Sequence, residues 1–179
     1  MTDREQLEYR ELRSTIRERG STRVRIMVAG VVAWAAITIA ISSAGPTPLA
    51  TLVPLTVLAA SFEGVFALHI GVERIGRYLD VFYADSWEGA AAAFGHPNGA
   101  VRVDPLFAGI FAIATGLNII PALLVSPTPQ ELIFVGGAHA LLGVRLVFAR
   151  FAASKQRAID RGRFAALKAE SSAGNHEIT

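Results

Sequence analysis

The chain has 179 residues, 52% hydrophobic and 18% charged, with a formal net charge of +2 and no cysteine. Its mean hydropathy of +0.42 and low charge content separate it from soluble domains of this length, in which about 25% of residues are charged. The lack of cysteine excludes disulfides, thiolate metal sites and cysteine nucleophiles. The isoelectric point near 9.4 reflects where basic residues lie relative to the apolar runs, and we do not read it as nucleic-acid binding.

Residues 1–22 predict an N-terminal amphipathic cytoplasmic helix. Leu7, Tyr9, Leu12 and Ile16 make a thin apolar stripe among interleaved charges, and Gly20 is expected to end it. Such a helix serves as a solvated cap at the headgroups or as a surface for a partner. The polar stretch continues to Arg25 before any apolar run begins, which does not fit a cleavable signal peptide, so the first apolar helix is expected to remain.

Residues 24–154 predict a transmembrane domain. Its apolar runs have the length of a bilayer crossing, roughly 20 residues, at about 26–45, 49–70, 105–125 and 131–151. Pro46-Thr47-Pro48 and Pro127-Thr128-Pro129 separate the members of each couple as tight turns. Their recurrence 81 residues apart suggests a duplicated hairpin, although three residues of turn chemistry also recur by chance. Between the couples lies a cytoplasmic connection, 71–104. There, Val72, Ile75, Leu79 and Phe82 extend the second helix as an interfacial stripe. Asp85 and Glu88 resemble a capping box opening a short helix from Trp87 to Phe94, and His96-Pro97-Asn98-Gly99 reads as a turn. The tail, 155–179, starts as a basic helix with Lys155, Arg157, Arg161, Arg163 and Lys168, suited to anionic lipid headgroups, and is expected to lose order beyond Glu170.

Basic residues set the orientation, because Lys and Arg are retained on the cytoplasmic side. Seven arginines precede Ile26, Arg74, Arg77 and Arg102 fall in the central connection, and seven basic residues run from Arg145 to Lys168. Neither proline-rich turn contains one. Four crossings with both ends in the cytoplasm satisfy all three segments, and the clean bias points to a bacterial cytoplasmic membrane.

Ionisable groups inside spans are costly and mark partners or cavities. At about 1.5 Å per residue in a core about 30 Å thick, Glu63 and Arg145 come out roughly 5–6 Å below the midplane. They are expected to pair within the bundle. His139 and Asn118 come out at about the level of Thr56, roughly 5 Å above the midplane, so these three predict a small polar layer. Its role is either packing between helices or, with Glu63 and His139 titrating, a proton or ion path. At the cytoplasmic end, His69, Glu73, Arg74, Arg77 and Tyr78 form the densest polar cluster, a candidate headgroup or partner site.

No cofactor is implied by these residues. His69 and His139 differ in depth by about 20 Å, too far to share a haem. The Glu-x-x-His repeats of di-metal bundles are missing, as are a phosphate-binding glycine loop and a serine elbow. Gly109, Ala112 and Gly116 share one face, and Gly136 and Gly143 another, fitting close packing within one bundle or a homo-oligomer. The expectation is an all-α membrane four-helix bundle of two hairpins. Its function reads as a non-enzymatic accessory or scaffolding subunit in contact with the lipid bilayer and a protein partner, or alternatively as a small channel or transporter for protons or small solutes.

Overall fold

The computed structural model describes residues 2–45, 47–83 and 105–174. The expected short helix from Trp87 to Phe94, its capping pair, the His96–Gly99 turn, Arg102 and the last residues of the tail lie outside them. Among the described residues the protein is all-α, with no strand.

Helix α1 spans Asp3–Ser43 without a break. The expected stop at Gly20 is therefore corrected. Glycine costs a helix interior about 1 kcal/mol relative to alanine but removes no backbone hydrogen bond, and no proline occurs before residue 46 to remove one. Thr2 and Glu5 form a reciprocal capping box at the start, with Thr2 N to Glu5 Oε2 at 2.7 Å and Glu5 N to Thr2 Oγ1 at 3.3 Å. At the other end Gly45 takes φ +100°, the left-handed conformation that closes helices at little cost to glycine.

A 3-10 turn, Pro48–Thr51, leads into α2, Leu52–Phe82. This helix continues well past residue 70, as the interfacial stripe predicts. The run expected as one helix over 105–125 is interrupted. Helix α3 covers Pro105–Asn118 and α4 covers Ile120–Leu124. Pro121 explains the interruption, since it has no N–H for the carbonyl of Leu117 and its ring crowds that turn. Helix α5 spans Pro129–Gly174, so the last apolar run and the basic tail form one helix. Its start is fixed by Thr128 and Glu131, with Thr128 N and Oγ1 donating to Glu131 Oε2 at 2.9 and 2.8 Å and Glu131 N donating to Thr128 Oγ1 at 3.3 Å.

Three helical stretches, Asp3–Ser43, Pro48–Phe82 and Pro129–Glu170, are long and apolar enough to cross a membrane, and Ala108–Leu124 is a shorter apolar one. Their outward side chains agree with that composition. Leu124, Ile133, Leu141 and Ile39 are each at least 66% exposed, a surface that water disfavours and lipid does not.

The described residues fall into two compact units, one from 22–67 and 105–150, the other from 2–21, 68–83 and 151–174. In the first, the apolar unit, Leu55, Leu58 and Phe62 of α2 pack with Phe111 and Ala114 of α3 and Leu142 and Leu146 of α5, while Ile26, Met27 and Trp34 of α1 close the side. Phe62 meets Phe111 edge-on at 5.5 Å, a preferred aromatic geometry. Gly30 lets α1 lie close against α2, because a Cβ there would collide with the Ser61 side chain. By contrast, a Cβ on Gly109, Gly116, Gly136 or Gly143 would meet nothing within 4 Å. The close approach thus uses Gly30, and the faces singled out by glycine spacing on the later helices make none among the described residues.

Candidate functional site

Of the polar residues expected within the spans, Asn118 and His139 fall in one group and Glu63 and Arg145 in another. The first is built on Asn118, which ends α3 and is fully buried. Its amide nitrogen donates to the Thr51 carbonyl at 2.9 Å and contacts His139 Nε2 at 3.0 Å, and its oxygen accepts from Trp34 Nε1 at 2.9 Å. His139 Nδ1 lies 2.8 Å from the Val135 carbonyl one turn back. A carbonyl only accepts, so Nδ1 carries the ring proton, and Nε2 then accepts from the amide. Every member has a partner in this tautomer. The cluster joins α1, the 3-10 turn, α3 and α5 through neutral hydrogen bonds.

Thr56 takes no part in it. Its hydroxyl donates to the Val53 carbonyl at 2.7 Å and its side chain is exposed. A threonine that satisfies itself within its own helix needs no polar layer. Trp34 and Thr51 take the place expected for it. A tryptophan in mid-span was the available signal, since a buried indole N–H requires an acceptor.

The second group is Glu63 and Arg145. Arg145 Nε donates to Glu63 Oε1 at 2.7 Å and Nη2 to Oε2 at 2.8 Å, a two-pronged fork. The guanidinium also lies over the Phe66 ring at 5.1 Å and near the Phe62 ring at 5.8 Å. The sequence expectation placed this pair inside the bundle. Instead both side chains reach the outer surface, 39% exposed for Arg145 and 49% for Glu63. Helical phase accounts for this, because Leu58, Phe62 and Val65 face the core and Glu63 points away from it, with Thr56, Ala60 and Ala67.

In the other unit the polar cluster around Glu73 is larger than the sequence indicates. Arg77, 6% exposed, donates to Glu73 at 2.9 Å and to Asp160 at 2.8 Å. Arg157 donates to the second Glu73 oxygen at 2.8 Å, Gln156 to Asp160 at 2.8 Å, and Arg74 lies 3.5 Å from Asp160. His69 Nε2 lies 3.5 Å from Glu73. Burial alone would raise the Asp160 carboxyl, but the bonds from Arg77 and Gln156 and the charges of Arg77 and Arg74 outweigh it and hold it below its ordinary value. Tyr78 donates to Glu8 of α1 at 2.7 Å, and burial followed by that carboxylate pushes its phenol up. Tyr78 also stacks on Phe82 at 4.6 Å and meets Phe164 of α5 edge-on at 5.6 Å.

Asp160, Gln156 and Arg157 were not legible as members of this cluster. The signal was a lone acid, Asp160, set among Arg157, Arg161 and Arg163. Three of the tail's basic residues are turned to the protein, since Arg161 lies 3.8 Å from Asp80 and Lys168 donates to the Val81 carbonyl at 2.6 Å, besides Arg157 on Glu73. Among the described residues no three His, Asp or Glu side chains are grouped so as to hold a metal. Compared with protein-family models, with the curated proteins and with solved structures, the chain matches none.

Proposed function

We propose that the protein is a non-catalytic integral membrane subunit of four crossings, with both ends on the cytoplasmic side. Its polar groups hold helices together and present a surface to partners. The positive-inside distribution of Lys and Arg supports the orientation, and the Ala108–Leu124 stretch, extended by the start of α3, is taken as the third crossing. A bacterial cytoplasmic membrane is the setting this charge bias fits. Exposed basic residues at the tail, such as Lys155 and Arg163, suit anionic headgroups.

The observation that carries the reading is the separation of these polar residues into two separate groups. A transport path through Glu63, Arg145, His139 and Asn118 needs them in one chain. Here Asn118 and His139 are satisfied by Trp34, Thr51 and Val135, while Glu63 and Arg145 pair on the outer face.

The test is reconstitution in proteoliposomes with a trapped pH-sensitive dye and an imposed proton gradient. The reading expects flux equal to that of empty vesicles, and expects Glu63→Gln to change stability or assembly only. Proton flux above that level, abolished by Glu63→Gln in a folded protein, would establish the transporter instead.

A further inference from the structure

The Glu63–Arg145 fork is an ion pair at membrane depth that faces outward. Charged groups inside spans ordinarily face the bundle interior or a watery cavity, because lipid solvates neither charge. The fork uses two of the five guanidinium N–H donors and one lone pair on each carboxylate oxygen, so both groups keep capacity for a second partner. Its neighbours one turn away on the same face are apolar. Ala60 and Ala67 flank Glu63 on α2, and Leu141 and Phe148, 72% and 61% exposed, flank Arg145 on α5.

We propose that a second copy of this chain covers this face in the membrane, forming a two-fold dimer centred on Glu63 and Arg145. The patch carries one acid and one base side by side, and so is self-complementary. A two-fold axis between them sets Glu63 of each copy against the free N–H donors of Arg145 of the other, giving a neutral four-charge cluster closed off from lipid. Small Ala60 and Ala67 let the two α2 helices approach, and Leu141 and Phe148 seal the rim. This face is distinct from the glycine faces of α3 and α5. The proposal rests on the membrane reading given above.

The chain has no cysteine, so an introduced one reports alone. In native membranes under mild oxidant, Ala60→Cys is expected to double the apparent mass by a disulfide, while Val28→Cys, also exposed, stays monomeric. Ala60→Trp, which adds bulk at an exposed position of α2, is expected to halve the mass measured in nanodiscs at unchanged helicity. Alkaline carbonate extraction is run in parallel. A protein that stays in the membrane but is monomeric, or whose Ala60→Cys variant links to another protein and not to itself, overturns the dimer and leaves the membrane reading intact. Release by carbonate overturns the membrane reading and the dimer with it.

Discussion

Asn118 joins three other elements through one side chain. It satisfies the indole of Trp34, the Thr51 carbonyl and the ring of His139. Replacing it by leucine keeps the branched shape but leaves the indole and the His139 ring nitrogen without this partner and removes one bond to the Thr51 carbonyl. Hydrogen bonds between membrane helices contribute roughly 0.6–2 kcal/mol each, so Asn118→Leu should cost about 1–3 kcal/mol in a denaturant titration in detergent. Gly30→Leu should be worse, because its side chain enters space held by Ser61, whereas Gly109→Ala, which meets nothing and removes a helix-interior glycine, should keep or raise the midpoint. Asn118 and His139 were legible because a polar residue in an apolar run must find a partner. Which partner was not, since Trp34 and Thr51 lie 84 and 67 residues away. Thr56 misled because its hydroxyl is answered three residues back.

Between elements, the contact of α2 with the C-terminal part of α5 rests on Arg77 and Asp160, each about 6% exposed. Removing one member of a buried pair costs about 3–5 kcal/mol, because the other is left uncompensated. Asp160→Ala should therefore destabilise strongly, and Asp160→Leu with Arg77→Met should recover much of the loss when the variants are melted side by side. The carboxyl of Asp160 titrates below its ordinary 3.8 in the fold. Its contribution is thus complete above that value and lost as pH falls through the lowered folded value, so acid melting curves of the native protein and Asp160→Asn should converge only at strongly acidic pH. Helix continuity was partly legible. The extension of α2 followed from its apolar period, while α1 ran on through Gly20 because a lone glycine weakens a helix without breaking it. Pro121, inside an apolar run, was the break the hydropathy pattern concealed.

At the scale of the molecule, an all-α chain with aliphatic side chains turned outward is what its composition dictates, and this was legible from the length of the apolar runs alone. The outward position of the Glu63–Arg145 fork was not, because matching depth says that two groups meet and nothing about the side on which they do. The proposed topology has four crossings with both ends cytoplasmic. Its most direct test uses single cysteines at the exposed positions Gln6, Ala44, Gln130 and Ala173, labelled in intact cells with a membrane-impermeant maleimide. In this topology Ala44→Cys and Gln130→Cys react before permeabilisation, and Gln6→Cys and Ala173→Cys react only after it. Reaction of either terminal cysteine in intact cells, or protection of either turn, would contradict it.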